Sequence, residues 1–260
     1  MEKIIDVHVE VGYGSEVPFH VEDTLRAMER NGIAKGIISP ILTYPLPQGI
    51  SSSREQNDNI AACLRKYPDR FVAGLGAVDP RNGPKAAEEV HRCFGELGLA
   101  GLAFDNSFSG RIVDHADMFK LMEAVNRYSG KIVLLNTAPY AVLNQPFKLG
   151  RLAEAFPDIT FINGYALSCM THVGSSKDMA SKHPNVYIDI ARCIWIHNSL
   201  GGTIEFLGAD RILFGSDIPF YTNCLERPVL EGTRNNMNLS DEVMEKIYYK
   251  NAAKLFGLNI

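Results

Sequence analysis

Lys131-Ile132-Val133-Leu134-Leu135-Asn136 is a short, almost uninterrupted apolar run that ends on a polar amide. A strand with one wet face alternates apolar and polar residues; a run apolar at every position belongs to a parallel sheet covered on both faces. Upstream, Ala116 to Tyr128 repeats its apolar residues at helical spacing, and downstream Phe147 to Phe156 does the same. The alternation continues in both directions. Further strands are expected at Ile4 to Val11, Gly36 to Pro40, Phe71 to Val78, Ala100 to Phe104, Thr160 to Asn163, Asn185 to Ile190 and Arg211 to Phe214. Further helices are expected at Val21 to Asn31, Arg54 to Tyr67, Pro84 to Leu97, Ser176 to His183, Ser199 to Leu207 and Leu239 to Phe256. In the third helix Pro84 sits at the start, where its missing donor is harmless, and Gly98 follows as a left-handed stop.

Eight strand and helix pairs with no break in composition predict an α/β fold, one (β/α)8 TIM barrel over residues 1–260. An open doubly wound sheet has the same periodicity, but neither GxGxxG nor GxxxxGK[ST] occurs in the chain. The stretch Thr43 to Ser53, rich in Pro and Ser, reads as a loop over the barrel mouth that shapes a pocket.

Composition narrows the partners. With 46% hydrophobic and 22% charged residues the chain is that of a globular protein, and a formal charge of -4 without a basic run excludes an electrostatic nucleic-acid role. A small molecule is the expected partner. The five cysteines are scattered, with no CxxC, as in a reducing cytoplasm. No signal-peptide pattern opens the chain, and no apolar stretch has the roughly 18 residues of a membrane span. A homo-oligomer is compatible with the barrel exterior, although no helix declares an interface.

Barrel active sites form where the strands end. The polar residues expected there are Asp6, His8 and Glu10 of the first strand, placed on one inward side by alternation, then Asp105, Asn136, Tyr165, Asp189 with Arg192 beyond it, and Asp217.

At these positions the chain resembles a known family. Ile5-Asp6-Val7-His8-Val9-Glu10 is similar to the first-strand signature of the amidohydrolase superfamily. Gly208-Ala209-Asp210-Arg211-Ile212-Leu213-Phe214-Gly215-Ser216-Asp217-Ile218-Pro219-Phe220 resembles the eighth-strand segment of its amidohydrolase-2 branch, which includes aminocarboxymuconate semialdehyde decarboxylase-like enzymes. Weaker matches lie in order between them, at Tyr67-Pro68-Asp69-Arg70-Phe71, Ala77-Val78-Asp79-Pro80 and His183-Pro184-Asn185-Val186-Tyr187-Ile188-Asp189. The resemblance implies a divalent cation, usually zinc, held by an HxH pair, a histidine of a middle strand and the eighth-strand aspartate, with another histidine assisting. Here His8 and Asp217 match, whereas Glu10, Asn136 and Tyr165 stand where histidines are expected.

An amide oxygen or a phenol is a poor zinc ligand, so metal affinity should fall. His8, Glu10 and Asp217 remain as a metal set that shifts preference from zinc toward manganese or magnesium, or holds no ion. The expected catalytic residues are Asp217, Glu10 and Tyr165; the expected substrate-binding residues are Asn136, Arg192 and His172. The resulting expectation is a metal-dependent hydrolase or related decarboxylase acting on a small carboxylated or cyclic substrate. The alternative is a metal-free acid-base enzyme, or a barrel that only binds a small molecule. Plainer roles are open too: Glu10 paired with an arginine, Asp217 and Asp105 capping turns, Arg192 paired with Asp189, and Trp195 packing a loop or interface.

Overall fold

The computed structural model describes residues 3–13, 18–42, 48–137, 142–193, 199–220 and 223–259. Strand β1 (Ile5–Tyr13) carries a short antiparallel partner, β2 (Pro18–Phe19), on one side. From β1 the sheet proceeds through parallel strands β3 (Lys35–Pro40), β4 (Phe71–Gly76), β5 (Gly101–Phe104), β6 (Ile132–Asn136), β7 (Thr160–Gly164), β8 (Val186–Asp189) and β9 (Ile212–Leu213). The ring closes through the backbone. Val7 N donates to Phe214 O at 2.9 Å, Asp217 N to His8 O at 3.0 Å and Glu10 N to Ile218 O at 2.8 Å. The fold is therefore a (β/α)8 barrel, and the open-sheet alternative is excluded.

The helices are α1 (Val21–Arg30), α2 (Ile50–Lys66), α3 (Pro84–Gly95), α4 (Asn106–Ser109), α5 (Ala116–Val125), α6 (Pro146–Ala155), α7 (Met170–Lys182), α8 (Ser199–Leu207), α9 (Glu226–Met237), α10 (Asp241–Glu245) and α11 (Asn251–Phe256). Pro84 opens α3 and Gly98 is left-handed at φ 66°, as the sequence predicts. Helices α2 and α7 start earlier than the sequence predicts, and α9 has no counterpart in it. Helix α2 takes in Ile50 and the three serines Ser51 to Ser53, which read as loop, and residues 43–47 of that loop lie outside the described residues, as does Trp195. Helix α7 starts at Met170 rather than Ser176, because Met170 is exposed and His172 buried, which breaks the apolar stripe that marks a helix in sequence. Helix α9 was missed for the same reason: only Glu226 and Leu230 are buried along it.

The expected final helix carries a π turn at Lys246–Lys250 between α10 and α11. The Ile247 carbonyl in this turn accepts from Phe214 N at 3.2 Å, tying the helix to the last barrel strand. Inside the barrel, Ile5, Val7, Ile37, Leu75, Leu134 and Leu213 pack together, and Ala252 and Ala253 of α11 join them. Each large side chain so withdrawn from water contributes about 1.5–3 kcal/mol. This apolar packing fills the barrel below the strand ends and leaves the polar tips above it. Among the described residues no helix is long and apolar enough to cross a membrane.

Candidate active site

The tip of β1 departs from simple alternation. Its pairing with β3 shifts register between Asp6 and Val9. Ile5 and Val7 pack into the barrel interior, Val9 and Val11 join the helix-facing core, and the irregularity between them turns both His8 and Glu10 inward. Asp6, expected beside them, lies on the other face. It accepts from His8 N at 2.9 Å and from Ser216 N at 3.1 Å, and also from the Ser216 hydroxyl, which ties the first and last strand tips together.

His8, Glu10 and Asp217 present ligand atoms that all lie within 4.8 Å of one another, and all three residues are buried. His8 Nδ1 donates to Asp189 Oδ2 at 2.6 Å, so that when the ring is neutral its lone pair lies on Nε2. Asp189 is itself held by Ala191 N at 2.9 Å. A Cβ on Gly215 would come to 2.0 Å from Asp189 Oδ1 and 2.9 Å from His8 Cβ, so only glycine allows this approach. Asp217 accepts from the Tyr165 hydroxyl at 2.7 Å on Oδ1 and from Arg192 Nε at 2.5 Å on Oδ2. The Arg192 guanidinium lies 4.2 Å over the Tyr165 ring, and that ring stacks on His8 at 4.8 Å.

Tyr165, Arg192 and Asp217 each have left-handed backbone, at φ 57°, 61° and 60°. Such a conformation costs a residue with a side chain about 1–3 kcal/mol and persists where surrounding contacts enforce it. Here those contacts include Glu226 Oε1, which accepts from Arg192 N at 2.8 Å, and His8 O, which accepts from Asp217 N.

Of the five buried side-chain polar atoms that find no hydrogen-bond partner among the described residues, three belong to the tips of β1 and β6: His8 Nε2, Glu10 Oε2 and Asn136 Oδ1. Asn136 follows Leu134 by two on β6 and so faces the interior as well, against Gly164, where a Cβ would come to 2.3 Å from its Oδ1. Unpartnered buried polar atoms are costly, and these three stand at the C-terminal ends of barrel strands, the face on which barrel active sites form.

The sequence-derived candidates thus divide. His8, Glu10, Tyr165, Arg192 and Asp217 come together. His172 stands on α7 behind β6, with Nδ1 donating to the Thr137 carbonyl at 3.1 Å, and among the described residues it makes no hydrogen bond to that cluster. Asp189 is the partner of His8, not of Arg192, and the side chain of Asp217 meets Tyr165 and Arg192 rather than capping its own turn. Asp105 caps α4, accepting from Ser107 N at 3.1 Å. Sequence reasoning missed Glu226, which has no strand or motif to announce it; Asp189 was legible as the inward polar end of β8, but not its partner.

Burial sets the electrostatics of this region. Removal from water, reinforced by the charge of Asp217, pushes Glu10 up to about 8. Burial likewise raises Asp6 and Glu226 to about 7. Burial opposes charge on His8, yet Asp189 first and then Asp217 and Glu10 outweigh it, raising the imidazole to about 9. A raised carboxyl stabilises the fold below its unfolded value and loses that contribution as pH climbs through the folded one. A raised histidine contributes fully below its unfolded value of 6.5 and loses it through about 9. All four act in one direction. The metal-free protein is therefore expected to melt at falling temperature from about pH 5 to about pH 9. Glu226→Gln should flatten the slope between its unfolded value of 4.5 and about 7. Thermal melts in chelator check this, and a melting temperature that rises across the range would contradict it.

A family model described as amidohydrolase matches residues 49–258. Among curated relatives, the gamma-resorcylate decarboxylase of Polaromonas sp. JS666 is 25% identical over 291 aligned positions, covering 90% of this chain and 86% of the relative. Among solved structures, 5-carboxyvanillate decarboxylase LigW from Sphingomonas paucimobilis superposes with a TM-score of 0.76 at 17% identity, over 100% of each chain. The dihydroxybenzoic acid decarboxylase of Polaromonas sp. JS666, solved with manganese and the inhibitor 2-nitroresorcinol, gives 0.70 at 21% identity over 100% of this chain and 98% of its own. The two structures establish the shared barrel. The family match spans more than half of the sequence, and so the chain belongs to the amidohydrolase family.

Proposed function

We propose that this protein is a metal-assisted decarboxylase of a small aromatic carboxylic acid. The observation that carries the reading is the pair of unpartnered atoms, His8 Nε2 and Glu10 Oε2, buried beside Asp217 with all three ligand atoms within 4.8 Å. This donor set fits a divalent cation: a neutral imidazole nitrogen oriented from behind by a carboxylate, and two carboxylates whose mutual repulsion in a dry site a dication relieves. One nitrogen against two carboxylates favours manganese or magnesium over zinc. His8, Glu10 and Asp217 would hold the ion, which when bound polarises the oxygens of an acidic substrate.

The chain's own residues supply the rest. Breaking the bond between ring and carboxylate releases carbon dioxide and leaves an electron pair on the ring carbon, which must receive a proton. We assign that transfer to Asp217, a reading supported by Tyr165 and Arg192, which hold its two oxygens and so set its direction. Carrying a proton taken from solvent, it gives that proton to the ring carbon as carbon dioxide leaves and is reprotonated by solvent, so the net reaction exchanges carbon dioxide for one proton. Arg192, lying over Tyr165, adds positive charge where the substrate carboxylate arrives, and Asn136 offers an acceptor at the same mouth. The relatives support this reading by their reactions; the small molecule is the proposed partner.

One observation favours a metal-free version. Arg192 already places a positive charge 2.5 Å from Asp217, and Glu10, held up to about 8, is then protonated at neutral pH and becomes the acid. Metal analysis of protein purified without chelator, followed by carbon dioxide release from hydroxybenzoates before and after chelation, separates the two. Near-stoichiometric metal with chelator-sensitive turnover supports the main reading. Turnover that survives removal of all metal supports the second.

A further inference from the structure

On the same face as the metal-ligand cluster the barrel mouth opens into a cleft of about 90 Å³. Ile41, Leu42, Phe104 and Phe108 give it apolar walls, and Gln56 and Asp105 contribute polar groups. Its lining residues follow the C-terminal ends of β3, β4 and β5 or belong to α2, so it shares the face on which the cluster stands. Asp105 connects the two. Its charge raises the pKa of Glu10, and the charge of Arg192 acts in turn on Asp105.

The capping role of Asp105 uses only half of its carboxylate. Ser107 N at 3.1 Å, the Ser107 hydroxyl and Asn144 Nδ2 at 2.7 Å all donate to Oδ1. Among the described residues no donor is found for Oδ2. The other carboxylate of the cleft, Asp79, is engaged on both oxygens by Arg81, at 3.1 Å to Oδ1 and 2.7 Å to Oδ2. The fixed Oδ1 holds the carboxylate rigid, and a rigid acceptor with one free oxygen in a cleft of aromatic and aliphatic walls is complementary to a flat ring bearing a hydrogen-bond donor.

We infer that Asp105 is a specificity-determining residue that accepts a hydrogen bond through Oδ2 from a ring hydroxyl of the substrate, so that the protein selects hydroxylated aromatic acids over their methyl ethers. The inference rests on the decarboxylase reading above and extends it to the far side of the ring. A methyl ether carries no proton to donate and adds bulk, so it leaves a partly buried carboxylate without the bond and meets the wall.

The test uses manganese-loaded full-length protein and 2-hydroxybenzoates carrying a second hydroxyl, or the corresponding methoxy group, at each remaining ring position, with carbon dioxide release as the readout. At one position the hydroxy acid should exceed its ether in kcat/KM by at least about tenfold. Asp105→Asn keeps an oxygen for the α4 cap but replaces the free acceptor with a donor. It should shrink that preference by about tenfold, chiefly through KM. Asp105→Ser, which also retains a capping oxygen, should do the same. Equal use of hydroxy acid and ether at every position by the unaltered protein overturns the inference and leaves the decarboxylase reading intact. So does an equal loss on all substrates in both variants. Absence of carbon dioxide release from every ring acid overturns the decarboxylase reading, and this inference with it.

Discussion

Asp217→Asn is expected to lower kcat/KM for decarboxylation by about a hundred- to ten-thousandfold, the range seen when a positioned proton-transfer group is removed. The expectation follows from how much converges on this side chain. Its Oδ1 receives the Tyr165 hydroxyl, its Oδ2 receives Arg192, and it completes the set of ligand atoms within 4.8 Å. An amide of the same shape preserves packing but abolishes the negative charge, the proton acceptor and one anionic ligand together. The Arg192 guanidinium, partly exposed, turns to solvent or substrate, so the variant should remain folded. Steady-state kinetics on manganese-loaded protein, with circular dichroism as the control for folding, measures the effect. Turnover within a few-fold of the unaltered protein would remove Asp217 from the chemistry.

Asp189→Asn is expected to weaken manganese or zinc binding by about ten- to a hundredfold, although Asp189 touches no ion. The 2.6 Å bond from His8 Nδ1 keeps the lone pair on Nε2, and the negative charge of Asp189 makes that nitrogen a better donor. An asparagine oxygen still accepts from Nδ1, so the ring stays oriented while its basicity falls. The same charge holds the metal-free imidazole up to about 9, and a cation must displace that proton. Binding by the unaltered protein should therefore strengthen as pH rises toward about 9, and the variant should show a shallower dependence. Calorimetric titration at several pH values measures both quantities. Equal affinity in the two proteins would take His8 out of the ligand set.

The barrel and most of its strand positions were legible because parallel strands covered on both faces have no choice but to be apolar throughout, as in Ile132 to Leu135. Helix α9 was not, because it buries little and so leaves no periodic trace. The inward turn of His8 and Glu10 was anticipated, but the accompanying placement of Asp6 was not. Alternation carries three residues to one side only while the register holds, and here it slips between Asp6 and Val9. No local pattern announces that slip, since the pairing with β3 causes it.

The partners of the charged residues were equally hidden. Arg192 stands three residues from Asp189 in sequence yet reaches Asp217, while Asp189 reaches back across the barrel to His8. What the sequence by itself determined is the barrel, the family resemblance and the kinds of side chain available at the strand ends, because these follow from local periodicity and residue chemistry. What only the tertiary structure decided is which of those side chains meet, which oxygen of each carboxylate is already engaged, and which atoms are left unpartnered. Such facts depend on barrel closure, which brings residues separated by most of the chain to within a few ångströms, and on backbone turns at Tyr165, Arg192 and Asp217 that only surrounding contacts can impose.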